Sequence, residues 1–165
     1  MLATEPPPSP RRTIMNTQAL VQVAQDIATR AHAGQVDKSG VEYITHPARV
    51  AAGVRAHGGD DAAIATAWLH DVLEDCEVTE ADLGAAGIPV PVIEAVRALT
   101  KREGETLEDY CARVRGNPTG LLVKRADIED NTDPARTAVL PAETRERLAA
   151  KYARTRSLLG FPQPH

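Results

Sequence analysis

Residues 61–75 read DAAIATAWLHDVLED. Ile64, Trp68 and Val72 recur at four-residue steps, which is a helical period, and Asp60 or Asp61 stands where such a helix needs an N-cap. The same helix carries the chain's most charged cluster, His70-Asp71-Val72-Leu73-Glu74-Asp75, so the spacing places His70 and Asp71 in mid-helix. The pattern repeats on both sides. Toward the N-terminus, Leu20, Val23, Ala24, Ile27 and Ala31 line one face of a helix capped by Asn16 or Thr17 and stopped by Gly34. Pro47, well suited to the first helical position, opens another with Val50 and Val54 inward and Gly58-Gly59 as its end. Toward the C-terminus, Thr79 with Asp82 begins a short helix whose core contact is Leu83. Residues 89–100 show Val92, Val96 and Leu99 on one stripe, and residues 106–115 show Leu107, Tyr110, Cys111 and Val114. After Pro118 the residues Leu121, Leu122, Arg125 and Ile128 suggest helix until Asp133-Pro134. Leu148, Tyr152, Thr155 and Leu159 mark the last, closed by Gly160 and Pro162. Only residues 34–46, GQVDKSGVEYITH, lack a period and read as a long structured loop, the kind that usually carries function. No segment alternates with period two, so the sequence predicts an all-α fold of seven to eight helices.

Composition bounds the function. Of 165 residues 42% are hydrophobic but only 3% aromatic, so the core must be built mainly from Ala, Val, Leu and Ile. Lys and Arg number 19 against 23 Asp and Glu, a net charge of -4, the wrong sign for holding nucleic acid by phosphate neutralisation. Cys76 and Cys111 form neither a disulfide framework nor a CxxC pair, which points to a reducing compartment and hence the cytoplasm. No apolar run approaches the roughly 20 residues of a membrane span. Residues 1–15 read as a disordered leader, with no apolar stretch of a signal peptide, and Met15 is an alternative start to Met1. Residues 16–160 read as one domain.

Three separated pieces could carry chemistry. His70-Asp71 offers an imidazole and a carboxylate. Adjacent helical residues diverge by about 100°, so both reach one ion only at a corner between helices where further ligands arrive. Taken alone, the pair reads equally as a core histidine bonded to a carboxylate. His46, before Pro47, reads alone as a capping histidine. Asp127 follows apolar Leu121-Leu122-Val123 and, if buried, needs a cation, either a metal or Lys124 or Arg125.

The order His46, His70-Asp71, Asp127 resembles the HD-domain metal-dependent phosphohydrolases. The stretches AHAGQVDKSGVEYITHP (31–47), AWLHDVLEDCEVT (67–79), LTK (99–101) and LLVKRADIEDN (121–131) resemble in particular the alarmone hydrolases, both stand-alone and as the hydrolase half of Rel/Spo-type enzymes. The likeness stops after Asn131. It implies an HD-domain helical fold and one Mn²⁺ held by His46, His70, Asp71 and Asp127. It further implies Glu74 and Asp75 as proton-handling residues and Asn131 as a nucleotide contact. The implied reaction is release of the 3′-pyrophosphate of guanosine tetra- or pentaphosphate, on a small-molecule nucleotide substrate. Lys38, beside Ser39 in the substrate loop, stands where the family usually has arginine and lacks its planar fork, which weakens base discrimination. Lys101, Lys124 and Arg125 are further candidates to meet the substrate's charge. Cys76 replaces the family's usual threonine, and Arg136 lies where the pattern breaks at Pro134. Two other readings remain at this point: an HD phosphohydrolase acting on a nucleoside monophosphate or a dinucleotide phosphate, and a catalytically silent HD module, against which Glu74 and Asp75 speak.

Overall fold

A computed structural model of the chain describes residues 16–164. The helices are α1 (Thr17–Ala31), α2 (Thr45–Ala56), α3 (Asp61–Leu69), α4 (Val72–Asp75), α5 (Glu80–Ala85), α6 (Val90–Leu99), α7 (Leu107–Arg115), α8 (Pro118–Asn131), α9 (Pro134–Thr137) and α10 (Ala142–Leu159). The all-α expectation holds. α4 and α9 are single turns of 4 residues, so eight longer helices make the body. Residues 1–15, expected as a leader, lie outside the described residues.

Local chemistry sets most boundaries. The side chains of Asn16, Asp60, Thr106 and Asn117 accept backbone N–H groups at the starts of α1, α3, α7 and α8. Thr79 and Asp82 complete a reciprocal capping box on α5. Gly160 ends α10 with φ 76°, a left-handed conformation that glycine adopts without strain. α2 departs from expectation by starting at Thr45, which moves Pro47 from the first to the third helical position.

The larger departure is at His70-Asp71, which is not mid-helix. α3 ends at Leu69, and α4 begins a new turn at Val72. His70 Nδ1 lies 2.6 Å from the Ala67 carbonyl, an acceptor that a continuing helix would reserve for the Asp71 N–H. The imidazole thus competes with the backbone, and the chain turns at the two residues that carry the chemistry.

α3 is apolar on every side and lies at the centre, packed on α1, α2, α6 and α8. Its Ala63, Ala65 and Ala67 are buried and keep neighbouring helices close. One apolar cluster, with Val50, Val54, Val114, Val123 and Ile128, lies on the α2, α7 and α8 side. A second, with Leu20, Leu69, Leu83, Val92 and Val96, lies on the α1, α5 and α6 side, and Trp68 packs against both. On α8 the expected inward face shifts: Val123, Ala126, Asp127 and Ile128 are buried whereas Arg125 is exposed and pairs with Glu129. Gly53 lets α2 approach α8, since a Cβ there would meet the Ala126 Cβ at 3.3 Å. That approach sets His46 against Asp127.

Leu83 is fully buried and Val90 is 65% exposed. Urea denaturation should therefore show Leu83→Ala losing about 2–5 kcal/mol. Thr79→Ala should lose about 1 kcal/mol through its cap, and Val90→Ala less than about 0.5 kcal/mol. Equal losses at Leu83 and Val90 would contradict this packing.

Candidate active site

Four side chains from three regions meet where α2, α3 and α8 cross. His46 Nε2 lies 2.9 Å from Asp127 Oδ1 and 3.8 Å from Asp71 Oδ2. His70 Nε2 lies 3.1 Å from Asp71 Oδ2 and 3.5 Å from Asp127 Oδ1. His46, His70 and Asp71 place one ligand atom each within 4.8 Å of one another, close enough to hold a metal ion. Asp127 closes the set from the other side.

The donor set fits a divalent transition metal. Each imidazole is held by Nδ1, His70 on the Ala67 carbonyl and His46 on Asp130 Oδ2 at 2.6 Å, so both turn Nε2 inward. His70 Nε2 is buried with no hydrogen-bond partner, the orphaned nitrogen that a ligand position predicts. Two nitrogens with two carboxylate oxygens suit Mn, Fe, Co or Zn.

Electrostatics follow from crowding. Burial opposes charge on both histidines, yet hydrogen bonds donated to Asp127 and Asp130 raise His46 above its ordinary range, and Asp71 with Asp127 raises His70. Burial likewise opposes the Asp127 carboxylate, but Lys124, with Nζ 2.8 Å from Oδ2, holds it well below the usual range. The salt bridge and the site are thus the same place. Asn131, one helical turn beyond Asp127, donates Nδ2 to Asp127 Oδ1 at 3.0 Å. Tyr43 donates its hydroxyl to Asp71 Oδ2.

A cavity of about 370 Å³ opens from this cluster. Lys38 and Ser39 of the loop line it, as do Glu74, Lys101, Asn131, Arg136, Lys151 and Tyr152. Asp75 is not on its wall. Partial enclosure raises both the Glu74 and Asp75 carboxyls, Asp71 adding to each. Lys38 and Lys101 reach solvent at the mouth. Arg125, a candidate from sequence, turns away.

The model of the family described as HD domain matches residues 24–112. This chain belongs to the HD-domain family. A Mycobacterium leprae protein called a probable GTP pyrophosphokinase is 33% identical over 139 residues, 79% of this HD-domain chain and 17% of that protein. A guanosine-3′,5′-bis(diphosphate) 3′-pyrophosphohydrolase of Vibrio cholerae is 31% identical over 131 residues, 74% of this chain and 19% of its own length. The chain therefore spans under a fifth of these relatives. A solved structure described as a metazoan ortholog of SpoT that hydrolyzes ppGpp and plays a role in starvation responses superposes with TM-score 0.72. It covers 95% of this chain and 88% of that one at 21% identity, a likeness of fold. That coverage reaches past Asn131, beyond the motif stretches that carry the resemblance in sequence.

Four cavity or cluster residues escaped sequence reasoning or were set aside by it. On the sequence alone Tyr43 matches a family position but reads equally as core packing, Arg136 reads as a surface residue, Lys151 sits beside a core tyrosine, and Asp130 is one more acid in an acidic run. The only usable signal was the three-residue spacing of Asp127 and Asp130 on α8. In this HD domain, metal analysis of Mn²⁺-equilibrated protein should find near-stoichiometric metal, and Asp127→Ala should lose most of it while far-ultraviolet circular dichroism stays helical. Full metal content in that variant would remove Asp127 from the site.

Proposed function

We propose that this HD domain, residues 16–160, is a metal-dependent phosphohydrolase that removes the 3′-pyrophosphate of guanosine tetra- or pentaphosphate. The observation that carries the reading is one cavity with a carboxylate–imidazole cluster at its floor and lysines around its wall. The names of the relatives supply the substrate, and the size of the cavity suits a nucleotide. A polyphosphate needs cations locally, even on a net-acidic protein. Lys38, Lys101 and Lys151 supply them, because Lys124 is committed to Asp127 and Arg136 to Asp130.

We assign His46, His70, Asp71 and Asp127 as ligands of one divalent ion, Mn²⁺ by family resemblance. When bound, such an ion supplies charge for the phosphoryl oxygens and lowers the pKa of water toward neutrality. The protein's own groups do the rest. Lys38, Ser39 and Asn131 hold the nucleotide so that the 3′-phosphorus faces the floor. Water attacks that phosphorus, the bond to the ribose 3′-oxygen breaks, and a proton must leave the water and reach the departing oxygen. Glu74 lines the cavity, and burial raises its carboxyl above the usual carboxylate range, which suits it to carry that proton. Asp75, one residue on and also raised, extends the relay toward Tyr43 and His32. The free thiols of Cys76 and Cys111 fit a reducing compartment such as the cytoplasm.

Mn²⁺-loaded protein given guanosine tetraphosphate should release pyrophosphate and guanosine diphosphate. Turnover of a nucleoside monophosphate with none of the alarmone would overturn the substrate in favour of another HD phosphohydrolase. Glu74→Gln should lower kcat about 10²–10⁴-fold with metal content intact, Asp75→Asn less so. Lys151→Met should raise KM with little change in kcat, since its cation meets charge present in the ground state. Wild-type kcat in both amide variants would leave the pair an acidic helix end with no part in moving the proton.

A further inference from the structure

Asp130 is the most heavily shared carboxylate next to the site. Its side chain is 8% exposed, and both oxygens are occupied from outside α8. Oδ2 accepts from His46 Nδ1 at 2.6 Å and from Arg136 Nη1 at 2.6 Å, and Oδ1 accepts from Arg49 Nε at 2.7 Å. Arg136 Nη1 also reaches the Asp130 carbonyl at 3.0 Å, which fixes the guanidinium against the end of α8. Its other nitrogen, Nη2, lies 3.5 Å from Asp37 Oδ2. Asp37 in turn shapes the loop, because its Oδ1 accepts the N–H groups of Ser39 at 2.8 Å and Val41 at 3.0 Å. A continuous chain of polar contacts thus runs from the loop bearing Lys38 and Ser39, through Arg136 and Asp130, to the ring of His46.

The chemistry of each link gives it a direction. A histidine that donates Nδ1–H to a carboxylate has its ring plane fixed and leaves Nε2 for a ligand. His46 and Arg49 are one turn apart on α2, so a single carboxylate grips both and sets the rotation of that first turn about the site. The Asp130 carboxylate is the buried member and the two guanidiniums reach it from partly exposed positions, so loss of Asp130 would leave His46 Nδ1, Arg49 and Arg136 without their shared acceptor at once. Arg136 sits beyond Pro134, where the family pattern has ended, and it is the residue that joins the loop to this grip.

We propose that Asp130 is the positioning residue of His46, and that Arg136 ties the same carboxylate to Asp37, so that one anchor holds both the metal-facing imidazole and the nucleotide-facing loop. The inference rests on the metal assignment above, but its test does not depend on the identity of the nucleotide. Three readouts are used on the full chain: Mn²⁺ affinity by calorimetry, the His46 Nδ1–H resonance by long-range ¹H–¹⁵N correlation in metal-free protein, and amide exchange at Ser39 and Val41. Asp130→Asn should weaken Mn²⁺ binding about 10–100-fold, abolish or shift the Nδ1–H resonance, and speed exchange in the loop several-fold. Arg136→Gln should speed the same two amides while leaving the Nδ1–H resonance in place. Glu129→Gln, whose carboxylate pairs with His57 on the outer face, should match wild type in all three.

Mn²⁺ affinity within threefold of wild type in Asp130→Asn, together with an unmoved Nδ1–H resonance, would overturn the positioning role. Unchanged loop exchange in Arg136→Gln would overturn the tie, and that variant keeps the test decisive even where Asp130→Asn does not fold. A wild-type chain that binds no Mn²⁺ would defeat the metal assignment alone. The resonance and the exchange rates would still report whether Asp130 holds His46 and the loop.

Discussion

The contact between His46 and Asp127, 2.9 Å apart and both buried, is the constraint on which the arrangement turns. It joins α2 to α8 across the end of α3, and it removes two ionisable groups from water, which costs free energy unless their charges are matched. The matching is local. Lys124 answers Asp127 within its own helix, and Asp130 answers His46. With Asp71 added, two carboxylates face a single lysine, so with both imidazoles neutral, as metal ligands must be, the floor carries a net negative charge that a divalent cation would satisfy. The helices must come very close for this, and the small residues Gly53, Ala63, Ala67 and Ala126 at their crossing permit it.

The same crossing explains why α3 stops where it does. An uninterrupted helix would send His70 and Asp71 in directions about 100° apart. By taking the Ala67 carbonyl, His70 ends the helix and frees Asp71 to turn toward it, to 3.1 Å between Nε2 and Oδ2. The functional need and the loss of helical continuity are one event, a local rule broken where function gains by it.

This also marks how far the sequence could be read. Helix positions were legible because apolar periodicity and the caps at Asn16, Asp60 and Thr79 agree, each signal lying within a few residues of its effect. The convergence of His46, His70, Asp71 and Asp127 was legible only through resemblance, since nothing in spacing brings α2 to α8. The break at His70 was missed because it depends on a side chain outcompeting the backbone, which periodicity does not register. The period read on α8 from Leu121, Leu122, Arg125 and Ile128 gave the helix but does not mark its buried face, for a related reason. The helix buries a charged pair, Lys124 and Asp127, so its buried face is not its apolar face.

Charge is where local and global readings diverge most. A net charge of -4 speaks against a surface that gathers anions, yet the cavity rim is lined by Lys38, Lys101 and Lys151 above an acidic floor. Burial and the nearby lysines Lys101, Lys124 and Lys38 depress the Lys151 ammonium, a repulsion that Asp127 offsets only in part. Such a gradient, negative within and positive around, opposes a lone cation at the mouth and a lone anion at the floor. It favours the two together, an anion whose phosphoryl oxygens face a cation in the cluster while its remaining charges meet the lysines. Net charge averages these layers away. Their order, rather than the total, sets the pattern of charge that a ligand in the pocket meets.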